Sequence, residues 1–231
     1  MSLEGRFGRF VPDFVKRRLM RVETGIDEAL QQFVAALEPG GFVLDAAAGE
    51  ARHRALFSRH RYVGVDLAVG DAAWNYQRLD ARANLERLPF PDETFSAAIS
   101  IVTLEHLAEP LQVLQEIRRT LQPGKPLLLV APQMWEVHQA PHDYYRYTRH
   151  GLEYLLGKAG FERWTIEPMG GYFTLLARRL MAALIFFQGG LRWLAFPLVA
   201  AAVAPAALLL PSLDGLDSRK DYTLAYVCIA R

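Results

Sequence analysis

An apolar strand that runs into an acid and then into small residues constrains this chain more than any other stretch. VLDAAAGEAR, Val43 to Arg52, is how a nucleotide-binding α/β sheet begins, because such a strand end brings backbone close to a ligand. YVGVDL, Tyr62 to Leu67, is a second β-branched strand ending in an acid, Asp66. It lies about twenty positions beyond the first turn, where a carboxylate can take a ribose diol. Two acids at two strand ends make a site.

The pattern around this pair alternates between helix and strand. Ile26, Leu30, Phe33, Val34 and Leu37 recur at helical spacing, and Pro39-Gly40-Gly41 then stops a helix expected over Thr24–Leu37. Glu50 to Arg59 is expected to open a helix whose N-terminal amides face the loop and offer a place for a carboxylate or phosphate. A weakly marked strand is expected near Tyr76 to Asp80, and a strong apolar one over Phe95 to Val102. Pro110, Leu111, Leu114, Ile117 and Leu121 describe an amphipathic helix closed by Pro123-Gly124. PLLLVAP, Pro126 to Pro132, is a continuous apolar run suited to a buried parallel strand. Such alternation argues for an α/β fold with a doubly wound, mostly parallel sheet. At 231 residues the chain suits a single α/β domain, 1–231, carrying an insertion.

Composition limits the partners. The formal net charge of +1 gives no large electrostatic footprint for nucleic acid, so none is expected as a partner. A single cysteine, Cys228, in an apolar run excludes an internal disulfide framework and fits a reducing compartment. The first residues lack the pattern of a secretory signal, so an intracellular location is expected. Residues 1–21 carry Arg6, Arg9, Lys16, Arg17, Arg18 and Arg21 interleaved with Phe7, Phe10, Phe14 and Leu19. This basic arm, which with the first helix makes up residues 1–40, reads either as a solvated helix over a sheet edge or as a contact for anionic lipid headgroups.

With these motifs in order, the chain resembles the class I S-adenosylmethionine-dependent methyltransferases, especially the small-molecule branch (methyltransferase type 11-like) carrying LPFPDxxFD and LEH segments. Here those segments are Leu88–Ser96 and Leu104–His106, and the resemblance covers most of Phe42 to Phe161. It implies a Rossmann-like sheet with an antiparallel C-terminal strand, and S-adenosyl-L-methionine as cofactor. Carried over by position, Asp45, Ala46, Ala47 and Gly49 would lie beside the methionine portion. Asp66, with Leu67, would meet the ribose, Asn84 and Leu85 the adenine, and Ser100 with Ile101 would border the sulfonium.

The family usually reads Asp-x-Gly-x-Gly-x-Gly where this chain has Asp45-Ala46-Ala47-Ala48-Gly49-Glu50-Ala51. Alanine is costly chiefly where the backbone needs positive φ, so the site survives if positions 47 and 51 have negative φ, and cofactor binding is weakened or lost if they do not. Asn84 and Ser96 also stand where acids are common. A plainer reading remains open, in which Asp45 caps the following helix and Asp66 a turn. A nicotinamide-dependent oxidoreductase would need Gly-x-Gly-x-x-Gly at the first turn, where only Gly49 is present.

Methyl transfer from a sulfonium asks chiefly that the nucleophile be held in line, with a general base only where a proton must leave. Candidates cluster in QMWEVHQAPHDYYRYT, Gln133 to Thr148, beyond the end of the fifth strand. His142, Tyr145, His138 and Asp143 could deprotonate or orient a hydroxyl, as could His106 of the LEH segment. Trp135, Tyr144 and Tyr147 could wall a ring-shaped or apolar acceptor. Alternatively the segment is a lid in which Asp143 and Arg146 pair. No spacing gathers several metal ligands, so no metal is expected.

GFERWTIEP, Gly160 to Pro168, and DYTLAYVCIAR, Asp221 to Arg231, read as the sixth and seventh strands. Between them, residues 175–219 form an apolar insertion with no charged residue from Trp193 to Leu213. Both strands must join one sheet, so any crossing of a bilayer must be even in number. Gly189-Gly190 divides the insertion, Pro197 and Pro205 would kink its second half, and Arg178, Arg179, Arg192 and Trp193 suit headgroups. The expectation is a membrane-associated helical hairpin, peripheral or monotopic on the inner, cytoplasmic face, with a cap buried on protein as the alternative. The activity expected is methylation of a small or lipid-linked substrate. The alternative is a non-catalytic S-adenosylmethionine-binding or scaffold protein of the same fold.

Overall fold

The structure, a computed structural model, describes residues 20–70 and 73–231; the basic arm expected over residues 1–21 falls almost wholly outside them. Seven strands form one sheet: β1 (Phe42–Ala46), β2 (Arg61–Asp66), β3 (Ala81–Arg82), β4 (Ala97–Ile101), β5 (Leu127–Pro132), β6 (Trp164–Met169) and β7 (Ala225–Ala230). Their order is β3-β2-β1-β4-β5-β7-β6. The β1–β2, β1–β4, β2–β3 and β4–β5 pairs are parallel, and β7 runs antiparallel to β5. This is the doubly wound, mostly parallel sheet with an antiparallel C-terminal strand that the alternation and the family resemblance imply. Strand order reverses between β1 and β4, the switch point at which such sheets bind ligands beyond their carboxyl ends.

Helices α1 (Arg21–Ala35), α2 (Pro110–Thr120) and α3 (Arg149–Lys158) flank the sheet. Alternate residues of each strand feed opposite faces. Leu44, Ala98, Leu127 and Leu129 join Leu114 and Ile117 of α2 and Leu152 and Leu156 of α3 in one core. Val43, Ala97, Ile99 and Leu128 join Leu30 and Phe33 of α1 in the other. Burial on both faces explains why β4 and β5 read as unbroken apolar runs.

Two local expectations are corrected. Glu50–Arg59 forms no α-helix; only a 3₁₀ turn at Arg54–Phe57 is present, so no helix N-terminus faces the loop as an anion site. The strand expected near Tyr76–Asp80 is instead a 3₁₀ turn, Tyr76–Arg78, with β3 beginning three residues later. At the second, Asn75 accepts from the Gln77 amide at 3.0 Å, a local bond that competes with a strand.

Two compact units make up the described chain. Ile26–Glu167 with Ala225–Arg231 form the first. Pro168–Leu224, with the described residues up to Gly25, form the second, which holds the apolar insertion. There α4 (Tyr172–Ala183) packs along α5 (Phe196–Leu209), with 3₁₀ turns at Leu184–Phe187, Gly190–Leu194 and Leu210–Leu216. Asp214, from the far end of the hairpin, accepts hydrogen bonds from the amides of Gly171, Phe173 and Thr174 at 2.8–3.0 Å. Asp217 takes the Tyr172 amide at 2.8 Å. These carboxylates satisfy the orphan donors that open α4 and tie the two ends of the insertion together. The apolar residues, by contrast, are largely uncovered: Leu198 is 77 % and Leu209 66 % exposed.

Candidate functional site

β1 ends on Asp45 and Ala46, and the next five residues form a tight loop. Ala47 (φ +72°), Gly49 (φ +53°) and Ala51 (φ +54°) all sit in the left-handed region. The condition of negative φ at positions 47 and 51 is therefore not met, which is the case in which the sequence reading has cofactor binding weakened or lost. The alanines adopt the backbone that glycine ordinarily takes, at a cost of roughly 1–2 kcal/mol each. Several bonds hold them there. The Ala47 and Ala48 amides donate to the Val65 carbonyl at 2.8 and 3.0 Å, and the Ala51 amide donates to the Ala48 carbonyl at 2.8 Å. Ala51 is also fully buried in the core beneath the loop.

Asp66, at the end of β2, reaches back to this loop. One carboxylate oxygen accepts the Gly49 amide at 2.9 Å and the other accepts the Ala68 amide at 2.7 Å. Each oxygen keeps a further acceptor site, so a vicinal diol can still be bound. A methyl group at Gly49 would touch the Trp74 ring at 3.4 Å, an ordinary contact, so the positive φ rather than lack of space favours glycine there. Asp45 differs from Asp66. It is buried, it accepts a hydrogen bond from the Tyr62 hydroxyl, and burial above all pushes its carboxyl up to about 7. Ser100 is buried near the end of β4, and Leu85 is buried close to Asn84, whose side chain accepts the Glu86 amide at 3.0 Å. Leu67 is half-exposed. The backbone beyond β4 is itself unusual. Val102 holds φ +52°, a rare conformation for a β-branched residue.

The segments after β4 and β5 meet because these strands are adjacent and parallel. A 3₁₀ turn, Leu104–His106, presents Glu105 and His106, and the loop after β5 presents His138. Glu105 is fully buried, and neither carboxylate oxygen has a hydrogen-bond partner among the described residues. Its Oε1 lies 3.7 Å from His106 Nε2 and 3.5 Å from His138 Nε2. The nearby Glu105 carboxylate is the main reason His138 titrates above its ordinary range. The expectation that metal ligands are not gathered fails here in its premise: one ligand atom from each of Glu105, His106 and His138 lies within 4.8 Å of the others. Spacing along the chain could not show it, since the residues come from two loops.

Other expected site residues serve to build the loop. His142 contributes its carbonyl, 2.5 Å from His106 Nδ1, while its own Nδ1 faces the Tyr144 hydroxyl at 3.0 Å. Tyr145 donates its hydroxyl to the Ala108 carbonyl at 3.1 Å, and Tyr147 donates to the Leu104 carbonyl at 2.8 Å. Asp143 and Arg146 do pair, at 2.6 and 2.9 Å, and the guanidinium holds the Asp143 carboxyl well below the usual carboxylate range. Arg146 also donates to the carbonyls of Trp135 and Glu136. Trp135 stacks on His138 with ring centres 5.6 Å apart. The residues that sequence reasoning passed over are Tyr62, Val102 and Glu105. An acid inside LEH gives no outward sign that it will be buried.

A sheet of this order, with an acid ending β2 beside a positive-φ loop after β1, is matched from residue 44 to residue 129 by the methyltransferase domain family. Over that stretch the chain is similar to S-adenosylmethionine-dependent methyltransferases. A curated relative of this methyltransferase domain, the biotin biosynthesis bifunctional protein BioHC of Teredinibacter turnerae (strain ATCC 39867 / T7901), is 32 % identical over 102 residues. The match covers 43 % of the chain but only 16 % of that relative. Among solved structures, a SAM-dependent methyltransferase from Archaeoglobus fulgidus is similar with a TM-score of 0.57 at 12 % identity, over 93 % of this chain and 96 % of that one. The [4+2]-cyclase SpnF is similar with a TM-score of 0.54 at 22 % identity, over 87 % of this chain and 80 % of that one. At such identities the likeness shows the fold.

Proposed function

We propose that this methyltransferase domain binds S-adenosylmethionine beyond the carboxyl ends of β1, β2 and β4 and directs its methyl group to a small or lipid-linked acceptor. The observation that carries this reading is the Asp66 carboxylate, fixed by two backbone amides beside a loop that keeps glycine-like backbone without its glycines. The residues present fit the cofactor. Asp66 can accept both ribose hydroxyls, the loop from Ala46 to Gly49 lets backbone approach the methionine portion, and the exposed Asn84 offers an amide for adenine. When bound, the cofactor supplies a methyl group already activated on a sulfonium, so orientation of the acceptor is the main task left to the chain. Ser100 and Val102 end the strand that borders this place. His106 and His138 stand beyond the ends of β4 and β5, on the side where an acceptor would be held.

The apolar insertion, on the same proposal, attaches the chain to the cytoplasmic face of a membrane. Phe196–Leu216 has a mean hydropathy of 2.0 with only 6 % of it buried, unlike the core helix of a water-soluble protein. The tied ends at Asp214 and Asp217 suit a hairpin that enters and leaves on one side.

A second reading, cofactor binding without turnover, is favoured by the alanines at positions 47 and 51. Native mass spectrometry of the purified protein after addition of S-adenosylmethionine, followed by transfer of labelled methyl to a lipid extract or to pooled small molecules, separates the two. A bound cofactor with transferred label supports methyl transfer; a bound cofactor whose label never moves supports the second reading.

A further inference from the structure

The cluster of Glu105, His106 and His138 is unbalanced in charge and in hydrogen bonding. A carbonyl oxygen can only accept, so the contact between His106 Nδ1 and the His142 carbonyl at 2.5 Å puts a proton on that Nδ1. The Glu136 carbonyl, 3.1 Å from His138 Nδ1, does the same for His138. In both neutral rings Nε2 then carries a lone pair, and both lone pairs are turned toward the fully buried carboxylate of Glu105. Two imidazole nitrogens and two carboxylate oxygens thus converge with no donor among them. Burial of an unpaired carboxylate is costly, and either a second proton on an imidazole or a metal cation held among the three groups relieves it.

We propose that Glu105, His106 and His138 form a binding site for one divalent transition-metal ion, with at least one coordination position left for an acceptor hydroxyl. Two imidazoles and a carboxylate are a donor set suited to zinc, iron or cobalt, not to magnesium or calcium. The spacing fits as well. Ligand atoms about 2.1 Å from a tetrahedral ion stand roughly 3.4 Å apart. The Glu105–His138 and Glu105–His106 separations are 3.5 and 3.7 Å, and the two imidazole nitrogens lie within 4.8 Å of each other, near enough for side-chain rotation to close on an ion. Hydrogen bonds from the outer ring nitrogens to backbone carbonyls, which orient both imidazoles, are the usual support for histidine ligands. Stacking of Trp135 on His138 further fixes one of them. Three protein ligands leave a position open, where a bound hydroxyl becomes more acidic and releases its proton to solvent more readily. That use of the open position rests on the methyl-transfer reading; metal binding itself does not.

The test uses the full chain, stripped with chelator and titrated with Co²⁺ while visible absorption is recorded. The expected result is one Co²⁺ per chain with ligand-field bands of a four- or five-coordinate ion and a rise in Tm on loading. Glu105→Gln and His138→Ala should each lose the bands and the Tm rise, while circular dichroism reports whether the variants are folded. His138 is partly exposed, so its variant remains informative if the buried Glu105 variant fails to fold. Absence of bands in the wild type would overturn the proposal in favour of a proton shared between His138 and Glu105. Undiminished bands in a folded His138→Ala variant would overturn it too, by placing the ion elsewhere. Titration of both forms with S-adenosylhomocysteine keeps the outcomes apart: cofactor binding without metal leaves the methyl-transfer reading standing, and metal without cofactor binding removes it alone.

Discussion

Ala47 and Ala51 carry the same unfavourable backbone in different surroundings, and they should respond differently to glycine. Ala47 is only partly buried, so Ala47→Gly relieves strain at little packing cost and should stabilise the protein by roughly 0.5–1 kcal/mol in chemical denaturation. Ala51 is fully buried, and removal of its methyl leaves a void worth about 1 kcal/mol, so Ala51→Gly should be neutral or destabilising. Equal gains at both positions would contradict this account of the loop. Asp45 makes a pH-dependent contribution at the same scale. Its folded pKa, about 7, lies above the unfolded value, so its contribution is fully present below about pH 4 and is lost as pH rises through 7. Relative to Asp45→Asn, the wild type should lose on the order of 3–4 kcal/mol between those limits. Parallel stability curves for the two proteins would show that the carboxyl is not held neutral.

At the level of elements, what was legible in the sequence followed from periodicity and punctuation. Both-face burial made β4 and β5 continuous apolar runs, and Pro110 with Pro123-Gly124 bracketed α2. The first loop was read by spacing, yet its backbone was not, because the bonds that hold alanine at positive φ, to Val65 and within the loop at Ala48, are tertiary or local contacts that spacing does not show. The Glu105 cluster was out of reach for another reason. His106 and His138 become neighbours only through the parallel β4–β5 pair, and nothing local distinguishes a buried acid from a solvated one. In the insertion, the cap of α4 by a residue forty positions onward was equally hidden. Asp214→Ala strips the acceptor from three amides and the Thr174 hydroxyl and should cost about 2 kcal/mol, read as a lower unfolding midpoint. An unchanged midpoint would mean that water replaces the cap without loss.

For the whole molecule, the proposed membrane attachment through the apolar insertion makes its own prediction. Full-length protein should float with vesicles of mixed zwitterionic and anionic lipid, and Leu194→Glu with Leu198→Glu should release it to the soluble fraction without altering the fold of the sheet. Flotation unaffected by those charges would assign attachment to another part of the chain, and a wild type that never floats would end the membrane reading. The central claim concerns the cofactor, and calorimetric titration of the purified full chain with S-adenosylmethionine tests it most directly. The account predicts saturable binding of one molecule per chain, weakened at least tenfold by Asp66→Ala in protein that remains folded. Absence of binding at millimolar ligand, or equal affinity in the folded variant, would contradict it.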